Sequence, residues 1–261
     1  MNPNQKPHGV FLYTLHKCAS TFLEKLFRQL AAEKGMRYHA PPGLLRNPKF
    51  ADGKANFNYD VCYGAIRKYK DQNLECDEKI RCRKILQVRD PRDILVSQFY
   101  SFGWSHKADQ FGERQKQHRQ QIQSISIDQY VLYHRAAAYS LKRRMRPLAE
   151  MVRQDPSVQI VTYEKMVTNY DKWLNPVLDQ FEFRSVKERL MKIKYRLMYR
   201  HTFKPQKNPN GHKRNVTPGE HREKLQPETI AMLNEYFAEY LQMFGYETEA
   251  HSKRQERRKI A

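Results

Sequence analysis

The stretch that decides the fold is Gly9-Val-Phe-Leu-Tyr-Thr-Leu-His-Lys-Cys-Ala-Ser-Thr-Phe-Leu23. Its first half is an apolar run with no alternation of polar residues, the pattern of a strand buried on both faces of a parallel sheet. The middle is a short polar turn holding His16 and Lys17. The last part opens a helix, because Phe22, Leu23, Leu26, Phe27 and Leu30 recur at helical spacing, and Thr21 with Glu24 predicts a capping box. A helix start presents unpaired backbone N–H groups and a partial positive charge. With Lys17 before it and the hydroxyls of Ser20 and Thr21 on it, this turn suits an anion.

A second segment has the same design. Ile85-Leu-Gln-Val-Arg-Asp-Pro-Arg-Asp-Ile-Leu-Val-Ser97 reads as a buried strand ending in Arg89, a turn at Asp90-Pro91, and a helix carrying Ser97. Helical side chains lean toward the amino end, so Ser97 is expected to point back toward Arg89. A guanidinium fork and a hydroxyl there suit a second phosphate. Two such turns in one fold fit a ligand with anionic groups at both ends. Read alone, each segment also fits a plainer role: a capped helix with a solvated Lys17, and a surface charge cluster around Arg89.

Strand signals recur at Val10–Tyr13, Val61–Tyr63, Ile85–Val88 and Val158–Thr162, separated by helical segments. One of these helices is expected to start at Ser126 and run to about Arg146. Another opens at Ser185 with Glu188, and the last runs from Pro227 to Met243 and stops at Gly245. The order predicts an α/β fold: a single domain with a central, mainly parallel sheet flanked by helices and a P-loop-like anion-binding turn. Ligands of such sheets gather at the carboxyl ends of the strands, where both marked segments put their polar residues. Residues 41–58 and 203–223 read as loops.

The chain has 261 residues, 39% hydrophobic content and a formal net charge of +20. Length and apolar content suffice for a large core. The charge calls for an anionic partner: a nucleotide, a nucleic acid, a sulfated or phosphorylated substrate, or an acidic membrane. The four cysteines, Cys18, Cys62, Cys76 and Cys82, form no CxxC pair. Zinc is therefore not expected, and a chain of this size does not depend on disulfides, so reduced thiols and a cytoplasmic location are the expectation. The apolar run near the amino end is too short for a signal peptide or a membrane span. Residues 251–261, with the run Lys253-Arg-Gln-Glu-Arg-Arg-Lys259, read as a basic tail following a domain at 1–250.

The first turn is not a GxxxxGK[ST] loop, because Lys17 precedes the hydroxyl pair by three and four residues. Instead, the two segments in this order resemble the nucleotide-binding signatures of sulfotransferases that use 3′-phosphoadenosine-5′-phosphosulfate (PAPS). Lys17-Cys-Ala-Ser-Thr-Phe22 is similar to the family's 5′-phosphosulfate loop, and Arg89 to Ser97 to its 3′-phosphate motif. Val161-Thr-Tyr-Glu-Lys-Met166, His201-Thr-Phe-Lys-Pro-Gln-Lys-Asn-Pro209 and Lys213-Arg-Asn-Val-Thr-Pro-Gly219 resemble later motifs. The resemblance implies sulfuryl transfer from PAPS to a hydroxyl or amine, releasing 3′-phosphoadenosine-5′-phosphate (PAP), with no metal.

It also implies roles. Lys17, Cys18, Ala19, Ser20 and Thr21 would hold the 5′-phosphosulfate, with Lys17 also catalytic. Arg89, Ser97, Lys213 and Arg214 would hold the 3′-phosphate. Phe22 and Phe203 would sandwich the adenine, with Tyr163 at its edge. The sequence departs from the family pattern at Cys18-Ala19, at Phe22 in place of a common Trp, and at Asn215-Val216 in place of Lys-Gly. The general-base His of many members falls at Ala65, which leaves His16 and His106 as the base candidates. Two other classes remain open: a protein that binds PAP or PAPS without transfer, and a basic nucleic-acid-binding module. Against the second stands the lack of a zinc-finger or RNP signature.

Overall fold

The computed structural model describes residues 7–40, 54–55, 59–67, 75–76, 81–105, 112–134, 137–183, 186–199 and 216–246. The contacts divide the chain into two compact units, Met1–Arg89 with Arg146–Pro205, and Asp90–Met145 with Gln206–Ala261.

The first unit holds the sheet. Its strands are β1 (His8–Thr14), β2 (Arg37–His39), β4 (Val61–Ile66), β6 (Arg81–Val88) and β7 (Gln159–Thr162), in the order β2-β4-β1-β6-β7. Every neighbouring pair is parallel. Two short strands, β3 (Lys54–Ala55) and β5 (Glu75–Cys76), pair separately. The four strands expected from apolar runs are all present. β2 had no such signal, because Arg-Tyr-His is polar and sits at an edge, where one face meets solvent.

All seven residues of β1 and all six of β4 are buried, as a central parallel strand requires. Helix α1 (Ser20–Glu33) lays Leu23, Leu26, Phe27 and Leu30 against Val10, Leu12, Cys62 and Ile85. Helices α6 (Tyr163–Thr168), α7 (Tyr170–Gln180) and α8 (Val186–Tyr199) join the same core through Met166, Trp173, Leu174, Val177 and Tyr195. Burying a side chain of this size stabilises by about 1.5–3 kcal/mol. The core therefore fixes the strand ends from which the polar turns project.

The second unit is helical. It contains α2 (Pro91–Tyr100), which passes into a π-turn at Ser101–Ser105, then α3 (Glu113–Gln123), α4 (Ile127–Leu132) and the part of α5 (Ala137–Gln154) up to Met145. The carboxyl part adds α9 (His221–Lys224), α10 (Pro227–Tyr236) and α11 (Ala238–Met243).

Several local expectations change. Ser126 does cap a helix, with Gln129 completing a capping box, but α4 ends at Leu132 and a separate helix follows. The long last helix is two pieces meeting at Phe237, and Gly245, at φ 72°, stops it as expected. The box at Thr21 and Glu24 does not form: the N-cap is Ala19, two residues earlier, and Glu24 pairs with Arg67 at 3.4 Å. Cys18 and Cys62 are free and buried, whereas Cys82 is disulfide-bonded, which corrects the expectation of fully reduced cysteines. No described helix is long and apolar enough to cross a membrane. The Ser185 start and the tail at 251–261 lie outside the described residues.

Candidate functional site

The turn after β1 gets its shape from backbone handedness. Lys17 sits at φ 72° and Ala19 at φ 62°, with Cys18 between them outside the left-handed region. Alternating hands turn successive N–H groups toward one point and make an anion-binding concavity. Ala19 is the N-cap of α1, and no side chain caps that end. The first turn of α1 contains no acidic residue either. The amides are thus presented to whatever anion enters. An L-residue in the left-handed region costs about 1–2 kcal/mol. Strain of this kind is held by surrounding structure and gathers at functional sites. Here the chain keeps Ala at a position whose conformation favours Gly.

Side chains around the turn divide into those that face the core and those that do not. Cys18 is fully buried, its Sγ lies 3.9 Å from the His16 carbonyl, and burial pushes its thiol up to about 12. It therefore offers a ligand its backbone and not a thiolate. Ser20 is buried, Thr21 exposed, and His16, Lys17 and Phe22 half-buried.

Arg89, at the end of β6, reaches this turn. Its Nη1 donates to the Lys17 carbonyl at 3.0 Å, and its guanidinium lies 4.2 Å from the centre of the Tyr163 ring. It is 4% exposed. The two segments that the sequence marks separately as candidate anion sites thus meet in one place. Burial, aided by the Arg89 charge, lowers the Lys17 ammonium to about 8. Two neighbouring cations favour a ligand that brings negative charge to both, because each raises the other's electrostatic energy until such charge arrives.

Buried polar groups brace the strand ends. Thr14 Oγ1 donates to the Gln87 carbonyl at 3.2 Å, tying β1 to β6 just before Lys17 and Arg89. Gln87, fully buried, accepts from Trp173 Nε1 at 2.9 Å. Gln87 carried a signal in the sequence, a lone amide within an apolar strand. Its partner was invisible there because Trp173 lies far along the chain.

Phe22 is walled by aromatics: Tyr199 at 5.2 Å edge-on, Trp173 at 6.3 Å and Tyr170 at 6.5 Å between ring centres. The three partners were missed, since helical periodicity assigns them simply to the core. Tyr163 is buried, and its ring face carries the Arg89 guanidinium.

Ala65, where the family's base would fall, is fully buried and takes φ 50° within an irregular stretch of the β1–β4 pairing. A Cβ on neighbouring Gly64 would collide with the Tyr38 hydroxyl. The site of the expected base is thus an alanine within the hydrophobic core.

In the second unit, Asp90 caps α2 by accepting from the Arg92 N–H at 2.9 Å and binds the Arg92 guanidinium at 2.6 and 2.9 Å. Arg92 also donates to Asn234. Asp93, fully buried, accepts from the Gly219 N–H at 2.7 Å, the His221 N–H at 3.0 Å and meets His221 Nδ1 at 2.6 Å. In the sequence Asp93 read only as part of a surface charge cluster and Gly219 as the end of a closing loop, and His221 carried no signal; the structure buries Asp93 and joins all three. Ser97 is half-buried on α2. Val216, which replaces a family Gly, is buried without a left-handed φ, so it needs no glycine there; Gly219, at φ 84°, does take that conformation. Phe203, Lys213, Arg214 and His106 lie outside the described residues.

A family model described as the sulfotransferase domain matches residues 75–245. The match includes Arg89 and Ser97; the Lys17 turn precedes it. Mouse sulfotransferase SULT7A1, solved with PAP, has a similar fold at 15% identity and a TM-score of 0.53, over 98% of this chain and 90% of that one. Retinol dehydratase solved with androsterone and the inactive cofactor PAP reaches 0.57 at 12% identity, over 95% and 85% of the two chains. The same enzyme solved with retinol and PAP reaches 0.55 at 12%, over 92% and 83%. No curated protein matches the chain. The extent of the family match, together with a parallel sheet that brings an amide-lined turn and an arginine-ended strand to one place, shows that the chain belongs to the sulfotransferase domain family.

Proposed function

We propose that this chain moves a sulfuryl group from PAPS to a hydroxyl or amine of an acceptor and releases PAP. The observation that carries the reading is the 3.0 Å bond from Arg89 to the Lys17 carbonyl, which joins the two anion-binding segments. In this scheme the amides of residues 17–21 and the hydroxyls of Ser20 and Thr21 hold the 5′-phosphosulfate. Arg89, Ser97, Lys213 and Arg214 hold the 3′-phosphate. Phe22, Phe203 and Tyr163 surround the adenine. The domain comprises residues 1–250, followed by a basic tail.

During transfer, the bond from sulfur to the bridging oxygen of the donor breaks while the acceptor oxygen or nitrogen bonds to sulfur. Charge grows on the departing phosphate, and Lys17 neutralises it. Most of the acceleration then comes from positioning and electrostatic stabilisation. His16, beside Lys17 in the chain, takes the acceptor's proton. The acceptor is a small molecule or a carrier-bound group, as retinol and androsterone are small molecules in the retinol dehydratase structures.

Calorimetry with PAP, followed by labelled PAPS with a panel of phenols, alcohols, amines and sugars, tests this. Heat with PAP and a labelled product support it. No heat ends it, and heat with no product from any acceptor class favours a protein that binds without transferring. The location proposed is the cytoplasm. The Cys82 disulfide pulls the other way, because such bonds persist mainly in oxidising compartments. Thiol trapping in intact cells decides: Cys82 reduced supports the cytoplasm, and Cys82 bonded in most of the protein counts against it.

A further inference from the structure

We propose that the outward face of α8 docks this enzyme on an anionic membrane surface. A helix lying on a core should be apolar inward and polar outward. The inner face of α8 meets that rule: Tyr195 and Tyr199 are buried, and their hydroxyls reach Glu33 at 3.5 Å and Gln29 at 2.6 Å. Its outer face breaks the rule. Leu190 is 63% exposed, Ile193 51%, Leu197 59% and Met198 47%. At about 100° per residue, Leu190, Ile193 and Leu197 fall within roughly 60° of one another, opposite the buried tyrosines. They form one apolar ridge, where scattered single residues would need no explanation.

Charge selects the occupant. The α8 sequence holds five cations, Lys187, Arg189, Lys192, Lys194 and Arg196, against one acid, Glu188. Lys194 and Arg196, 47% and 38% exposed in their side chains, each pair with one acid outside the helix, Glu33 at 2.9 Å and Asp171 at 3.9 Å, so α8 with these partners keeps a formal charge of +2. A second copy of the same face would bring like charges together across the two-fold axis, so self-association is disfavoured. A bilayer containing anionic lipid accepts both features at once. The ridge enters the boundary between headgroups and acyl chains, while the long basic side chains keep their heads at the phosphate level. The net charge of +20 adds long-range attraction to the same surface.

The test is flotation of the full chain with phosphatidylcholine vesicles, with and without about one third phosphatidylserine. Wild type should float with the serine lipid at least about tenfold more than with phosphatidylcholine alone, and salt should release it. Ile193→Glu with Leu197→Glu should lose at least about tenfold of the bound fraction, with unchanged thermal unfolding and unchanged PAP calorimetry. Because both residues are exposed, the fold should tolerate the change; Leu190→Ser is a milder second variant with the same expected direction. Flotation of wild type that ignores serine lipid overturns the proposal. So does flotation unaffected by either variant, or sedimentation equilibrium in which the double variant dissociates a dimer. Loss of PAP binding in wild type would instead strike the donor assignment and leave the docking result standing.

Discussion

Arg89 Nη1 donates to the Lys17 carbonyl at 3.0 Å, so the residue that ends β6 fixes the turn that follows β1. One arginine thereby brings a charge to the anion site and also holds the backbone that shapes it. Arg89→Ala should weaken PAP binding by about 1.5–3 kcal/mol, the range for a lost charge-assisted hydrogen bond. By calorimetry that is roughly a tenfold to hundredfold rise in Kd. An unchanged Kd would remove Arg89 from the donor site.

Lys17→Ala should act on turnover more than on affinity, because its contact strengthens as charge develops on the leaving oxygen. We expect kcat to fall by about 10²–10³, the usual loss for one preorganised stabilising donor. The PAP Kd should rise by much less. Equal losses in both would reduce Lys17 to a binding residue.

The lowered Lys17 ammonium gives a pH dependence with a defined sign. In the empty protein Lys17 is charged below about 8 and loses its proton above it. The anionic donor binds the charged form better, so binding above that pH must take up a proton, and PAP affinity should decline from pH 8 upward. The phosphates of PAP are already ionised there and do not contribute. Stability moves oppositely. Burial penalises the charged form, so the penalty is complete below about 8 and fades as pH rises toward the unfolded lysine value of 10.5. Calorimetry of wild type and Lys17→Ala across this window checks both: the affinity decline should vanish in the variant.

Ala19 tests the strain in the turn. At φ 62° and ψ 28°, Ala19→Gly removes the steric cost, partly offset by the greater freedom of Gly in the unfolded chain. The net expectation is a gain of about 0.5–1 kcal/mol in urea unfolding, and Ala19→Val, branched at Cβ, should lose more than that gain. A destabilising Ala19→Gly would mean that the loop is not strained.

Asp93→Ala leaves the Gly219 and His221 amides and His221 Nδ1 without their acceptor in a buried place. A loss of about 2–3 kcal/mol in stability follows from stranded buried donors. Because this turn continues directly from Lys213 and Arg214 in the chain, PAP affinity should fall as well. An effect on stability alone would make the Asp93 contacts purely structural.

The parallel sheet was legible because a strand buried on both faces needs an unbroken apolar run, and Val10–Tyr13, Val61–Tyr63 and Ile85–Val88 each supply one. The polar turns proposed to hold the donor were legible because Lys17, Ser20, Thr21 and Arg89 stand at strand and helix ends, where local chemistry is written in adjacent residues. The capping box at Thr21 was misread, since the left-handed Ala19 starts the helix earlier and leaves its end uncapped.

Local sequence by itself determined the four apolar strands, the polar turns and their charge, since each depends on neighbours a few residues away. Tertiary structure alone decided that Arg89 meets Lys17, that Trp173 satisfies Gln87, and that the place expected for a base is solid core at Ala65. These contacts join residues far apart in the chain. Their geometry is set by how the whole core packs, which no short run of residues encodes.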